Sequence, residues 1–91
     1  MKQTIKYYIY CSPNKSYSAQ ESELITFAEQ KELNIVGTYH GDIRPMLLRI
    51  QKGFAQGIIV SNIFDLPITP LLKSLIDKNI IRDIKYPANI D

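Results

Sequence analysis

Ser12 is the residue whose type and position best suit chemistry in this sequence. It directly follows residues 4–11, an apolar stretch rich in β-branched and aromatic side chains that predicts a strand. Because open parallel sheets bind ligands at the carboxyl ends of their strands, a serine here could be a nucleophile. It could equally cap the turn that Pro13 and Asn14 predict. A nucleophilic serine needs a base, and since the sequence has no suitable histidine–acid pair, spacing alone favours the cap.

A small-anion or nucleotide site is another possibility at the same end of the sheet. Its candidate residues follow predicted strands: Ser12, Asn14, Ser61 and Arg44, with Lys15 as a further cation. Clefts in open α/β sheets favour such ligands. The same residue types are also ordinary in loops, so both interpretations stay open.

Other catalytic and binding patterns are absent from the sequence. Neither GxGxxG nor GxxxxGK[ST] occurs, which excludes the Gly-rich phosphate loops. His40 is the only histidine and Cys11 the only cysteine, so we predict no metal site and no internal disulfide. We interpret Cys11 as a small core residue and His40 as an exposed loop residue. No cofactor is predicted.

Three helical patterns lie between the predicted strands. Ser18 and Glu21 have the spacing of a capping box, which predicts the start of the first helix. Pro45 predicts the first residue of the second helix, where its missing N–H costs nothing. Thr69 followed by Pro70 predicts a cap and a first residue for the third helix. Each pattern places apolar side chains on one face, as in helices that pack on a sheet.

Further strands are predicted at residues 34–39 and 57–61, and a short one within residues 80–84. Strands that alternate with helices through short loops predict βαβ crossovers and a mostly parallel sheet. We therefore predict a single domain over residues 1–91, with a three-layer α/β fold of flavodoxin-like type and about four strands.

The composition is that of an ordinary globular domain, with 45% hydrophobic and 22% charged residues. A net charge of +2, spread along the chain, is too weak to indicate nucleic-acid binding. No segment is long and apolar enough to cross a membrane, and no signal peptide precedes the first strand. We expect a cytoplasmic location, which also suits the single cysteine.

The order of these elements and their residues resembles the N-terminal catalytic domain of serine recombinases, the resolvase/invertase family. Residues 8–12, Tyr-Ile-Tyr-Cys-Ser, stand where that family has a Y-x-R-V-S strand ending in its nucleophilic serine. Residues 20–39 follow its first helix and second strand, and Arg44-Pro45 with Leu47 matches its R-P-x-L motif. The similarity covers roughly residues 5–84. It implies a resolvase-like fold in which Ser12 attacks a DNA phosphodiester, with Arg44 at the phosphate.

The departures from the family lie at the residues that its chemistry uses. Tyr10 replaces the arginine two residues before the serine, and the family's D-R-L-x-R run reads Phe-Asp-Leu-Pro-Ile over residues 64–68. Asp65 and Ile68 thus stand in place of arginines, and Asp42 is an acidic relic. Because clustered arginines stabilise the charge of the transferring phosphate, this site is interpreted as dismantled.

The resemblance also implies parts that this chain lacks. Family members continue into a long helix that pairs subunits and then into a DNA-binding domain, and 91 residues leave no room for either. We therefore predict a catalytically inactive resolvase-like protein with weak or no independent DNA binding. Its expected partners are a second copy, a full-length recombinase or another DNA-processing protein. The alternatives are residual cleavage through a phosphoserine at Ser12, the anion or nucleotide site, and a domain with no selected role.

Overall fold

Strands and helices alternate along the chain, as the sequence predicts. The computed structural model describes residues 4–87, so the ends of the predicted domain, residues 1–3 and 88–91, lie outside the described residues. The elements are β1 (Lys6–Cys11), α1 (Tyr17–Gln30), β2 (Asn34–His40), α2 (Arg44–Gln51), β3 (Gly57–Ile59), a short 3-10 helix (Ile63–Asp65), α3 (Pro70–Asp77) and β4 (Asp83–Lys85).

The described strands form one sheet in the order β2-β1-β3-β4, and every neighbouring pair is parallel. β1 therefore lies inside the sheet, and β2 and β4 form its edges. The predicted α/β class and mostly parallel sheet of about four strands are confirmed, and the arrangement is compatible with a flavodoxin-like three-layer fold. No helix within residues 4–87 is long and apolar enough to cross a membrane.

Side chains of β1 alternate between two hydrophobic cores on opposite faces of the sheet. Tyr7, Ile9 and Cys11 pack with the apolar face of α1. Tyr8 and Tyr10 pack instead with the apolar faces of α2 and α3. The rings of Tyr7, Tyr8 and Tyr10 are buried beneath the helices, as is typical of a central strand that is covered on both faces.

The start of α1 corrects the predicted capping box. The N-cap is Ser16, whose hydroxyl accepts a hydrogen bond from the Ala19 N–H at 3.3 Å, and Ser18 already lies in the first turn. The side chain of Gln20 causes the earlier start, because it binds the carbonyls of Ser12 and Lys15 and so fixes the preceding loop. At α3 the prediction is confirmed: the Thr69 hydroxyl accepts from the Leu72 N–H at 3.1 Å, and Pro70 is the first residue.

The third strand is shorter than predicted. It ends at Ile59 rather than residue 61, because the chain turns into the 3-10 helix after Ser61. The side chain of Asn62 caps that helix by accepting from the Phe64 N–H at 2.9 Å. This turn brings Asp65 back toward the loop that follows β1, where Lys15 pairs with it.

Candidate functional site

The loops that follow β1 and β3, residues 12–16 and 60–65, meet at one end of the sheet, which we call the carboxyl edge. β1 and β3 are neighbours, yet β1 leads to a helix on one face and β3 to a helix on the other. This reversal is where open α/β sheets place their ligand sites. The carboxyl edge is therefore the first place to look for the predicted chemistry.

Ser12 is enclosed at the carboxyl edge, and its N–H, its carbonyl and its hydroxyl oxygen each have a protein partner. Its side chain and backbone are 1% exposed. Gln20 accepts from the Ser12 N–H at 2.9 Å and donates to the Ser12 carbonyl at 2.7 Å. The Ser12 hydroxyl accepts from the Asn14 N–H at 3.2 Å, which is the turn-capping role that spacing alone favours.

Lys15 and Asp65 form an ion pair across the two loops of the carboxyl edge, with Nζ and Oδ2 3.6 Å apart. Asp65 is only 15% exposed, and its Oδ2 is buried without a hydrogen bond. Lys15 therefore supplies the main compensation for this buried negative charge. The lysine proposed as an anion ligand is already engaged by a carboxylate.

Tyr10, two residues before Ser12, lies near carboxylates. Its hydroxyl donates to the Gly41 carbonyl at 2.5 Å. Burial raises the pKa of Tyr10, and the nearby Tyr17, Asp42 and Asp65 raise that pKa further. A transferring phosphate here would meet negative charges in place of the arginines that its chemistry requires.

The other predicted polar residues have structural partners as well. The Ser61 hydroxyl donates to Glu23 of α1 at 2.9 Å. Asp42 accepts from the Arg44 N–H at 3.1 Å, and thereby caps α2, whose N-cap residue Ile43 makes no side-chain bond. The sequence identifies these residues as polar groups near strand ends, but gives no sign that each one holds a loop in place.

Arg44 lies apart from this set. Its side chain lines a groove between α2 and α3, and within residues 4–87 no hydrogen bond or ion pair holds its guanidinium. No hydrogen bond joins it to Ser12 among those same residues. The structure thus brings together Ser12 with Asn14 and, separately, Lys15 with Asp65.

The contacts of His40 with Tyr17 and Glu21, beside the carboxyl edge, were not predicted from the sequence. The prediction that His40 lies in a loop was wrong: it is the last residue of β2, opposite Cys11 in the register. Its Nε2 lies 3.1 Å from Glu21 Oε1, and its ring stacks on Tyr17 with 4.7 Å between centroids. Tyr17 and Glu21 are one helical turn apart, but the strand pairing that brings His40 to them leaves no local signal.

Cys11 has the character of a core residue. It is fully buried beneath α1, and burial raises the pKa of its thiol to about 11, with Glu21 adding to that rise. Its thiol is therefore protonated at neutral pH and poorly suited to nucleophilic attack.

Neither the search for a metal site nor the comparison with known proteins assigns a function to this chain. Within residues 4–87, no group of three or more histidine, cysteine, aspartate or glutamate side chains could hold a metal ion. The chain matches no model of a known protein family, no curated protein and no solved structure.

Proposed function

We propose that this chain is a resolvase-like domain that does not cleave DNA and acts by binding other proteins. The proposal joins the sequence resemblance over residues 5–84 to the arrangement of the carboxyl edge. The parallel sheet with Ser12 at the end of a central strand supports the resemblance. The proposal includes a cytoplasmic location and a setting of DNA recombination or mobile elements.

The observation that carries the proposal is the enclosure of Ser12. Its hydroxyl is occupied by the Asn14 N–H, and its backbone is held on both sides by Gln20. Attack on a phosphodiester requires a hydroxyl that reaches solvent and transfers its proton. Ser12 is 1% exposed, so its hydroxyl does not reach solvent, and within residues 4–87 that hydroxyl accepts from an amide and donates to no base.

The charges around Ser12 point in the same direction. Asp65 replaces an arginine and neutralises Lys15, and Tyr10 replaces a second arginine. The matching Arg44 lines the groove between α2 and α3. These charges support a structural role for the carboxyl edge and weaken both the residual cleavage and the anion-site alternatives.

Protein binding is supported by exposed apolar side chains in the segment that joins β3 to α3. Phe64 is 92% exposed and Ile68 is 80% exposed, and both precede the groove-lining start of α3. Two large apolar side chains this exposed, four residues apart in the chain, support a contact surface in this segment.

The cleavage half of the proposal is tested by incubating the 91-residue protein with supercoiled and nicked DNA and searching for a phosphoserine adduct by intact mass. We expect no nicking and no adduct on the native protein, on Ser12→Ala or on the matched control Ser61→Ala. An active serine recombinase serves as the positive control. An adduct that disappears in Ser12→Ala and persists in Ser61→Ala would contradict the proposal.

A further inference from the structure

The groove between α2 and α3 is an apolar cavity of about 430 Å³ that the protein leaves open. Its lining is aliphatic except for one threonine and one arginine, and consists of Ile43, Arg44, Leu47, Leu48, Thr69, Pro70 and Leu71. A space of this size accommodates two or three apolar side chains of a ligand. The space between these two helices therefore offers a binding groove.

The surface beside this groove is apolar as well. Ile68 directly precedes the lining residue Thr69, and Leu48 is 41% exposed at the groove itself. Ile68 and Leu48 thus add exposed apolar surface at the groove and beside it. A ligand that fills the groove would cover Leu48, and hydrophobic burial would favour its binding.

The helix α1 on one face of the sheet and the helix α2 on the other carry opposite charge. α1 contains three glutamates and no lysine or arginine, whereas α2 contains two arginines and no acidic residue. Asp42 precedes α2 and Lys52 follows it, and α3 carries one lysine and one aspartate. The side of the groove that α2 forms is therefore basic, the side that α3 forms is balanced, and α1 is acidic.

Charge also selects among the possible occupants of the groove. A two-fold contact between copies through this face would bring α2 near α2 and oppose Arg44 and Lys52 to their own like charges, which is unfavourable. A nucleic acid would satisfy the cations but would leave the aliphatic lining unused. An amphipathic helix with acidic side chains satisfies both the lining and the cations.

We propose that this groove binds an acidic amphipathic helix of another protein, whose apolar side chains fill it and whose carboxylate pairs with Arg44. The guanidinium of Arg44 has no ion pair or hydrogen bond within the described chain, so it can donate to a carboxylate without breaking a contact. Its planar fork suits a bidentate pair with that group. The inference rests on the proposed function and adds the place and chemistry of the contact.

The test uses a synthetic amphipathic helix of about four turns, with leucines on one face and glutamates beside them. Its counterpart carries lysines at the glutamate positions. Fluorescence anisotropy with the full chain is expected to show at least about tenfold tighter binding of the glutamate peptide. Arg44→Glu should reduce that preference at least about tenfold and improve binding of the lysine peptide.

Two further variants distinguish binding in the groove from nonspecific hydrophobic binding. Leu48→Glu places a charge at the groove and should abolish measurable binding of the glutamate peptide. Ile25→Glu makes the same change on α1, where Ile25 is exposed to a similar degree at 37%, and should leave binding unchanged. Equal loss in both variants would contradict the proposal.

Competition experiments identify the other occupants. The proposal is overturned if the glutamate peptide fails to bind, or if Arg44→Glu leaves its affinity unchanged. It is also overturned if duplex DNA displaces the peptide and binds Leu48→Glu as well as the native protein, or if Leu48→Glu abolishes self-association measured by sedimentation. A DNA adduct on Ser12 would overturn the proposed function instead, whatever the peptide does, so the two failures are distinguishable.

Discussion

The carboxyl edge and the α2/α3 groove differ in whether their side chains are already engaged. At the carboxyl edge, Ser12, Lys15 and Ser61 each have a protein partner. In the groove, aliphatic side chains face open space, and Arg44 has no ion pair within residues 4–87. Residues whose positions suggest catalysis in the sequence can thus serve to stabilise loops. A surface that the sequence does not single out can still have side chains that are free to bind a partner.

The largest expected effect comes from removing the side chain that locks Ser12. Gln20→Ala leaves the buried N–H and carbonyl of Ser12 without their partners, and should lower the free energy of unfolding by about 3 kcal/mol. Urea denaturation followed by circular dichroism measures the change. Gln30→Ala at the exposed end of α1 is the control and should change it by less than about 0.5 kcal/mol. A loss below about 1 kcal/mol for Gln20→Ala would mean that the edge is not locked as described.

The second test measures stability at high pH, where the buried thiol of Cys11 beneath the carboxyl edge becomes costly to keep protonated. The folded state raises the pKa of this thiol from 9.0 to about 11, so above pH 9 the unfolded chain loses the proton first. Stability is therefore expected to fall by about 2 kcal/mol as the pH rises from 9 to 11.

The contribution of the thiol is isolated with Cys11→Ala, which should unfold with a shallower pH dependence over the same range. The buried tyrosines, whose pKa values are also raised, contribute in both proteins. Rapid reaction of the native thiol with a thiol reagent at neutral pH would show that this part of the edge is open.

The ion pair that joins the two loops should have a smaller effect. Lys15→Ala leaves the buried oxygen of Asp65 uncompensated, and is expected to cost about 1 kcal/mol because the pair is partly screened by solvent. Lys73→Ala removes a solvent-exposed cation from α3 and should cost less than about 0.5 kcal/mol. If the denaturant midpoints of the two variants coincide, the Lys15–Asp65 pair does not support the fold.

The smallest effect on stability is expected in the groove. Leu48→Glu replaces a side chain that is already 41% exposed, so the free energy of unfolding should change by less than about 1 kcal/mol. A thermal melt of this variant beside Ile25→Glu measures it. A large loss of stability for Leu48→Glu alone would mean that the groove is part of the core rather than a free surface.

Local patterns in the sequence were sufficient for the order of elements and for the start of α3. The alternation of strand-like and helical segments and the Thr69-Pro70 pair depend only on neighbours in the chain, and both are present in the structure. The prediction of Ser18 as the cap was wrong because the hydrogen bonds between Gln20 and Ser12, eight residues apart in the chain, decide where α1 begins.

The partners of the polar side chains were not predictable in the same way. Ser61 meets Glu23 across 38 residues, and the Tyr7 hydroxyl donates to Asp83 across 76 residues. Such pairs depend on the order of strands in the sheet, which composition and periodicity do not specify. The groove likewise exists only once α2 and α3 lie side by side.

The most direct measurement of the central claim is a pair of nuclear magnetic resonance titrations on the 15N-labelled full chain. One uses the glutamate peptide and the other inorganic phosphate. The account predicts peptide-induced shifts in the amides at the start of α2 and α3, and no phosphate-induced shifts in residues 12–16. Phosphate-induced shifts in residues 12–16, with no response of the groove to the peptide, would contradict it.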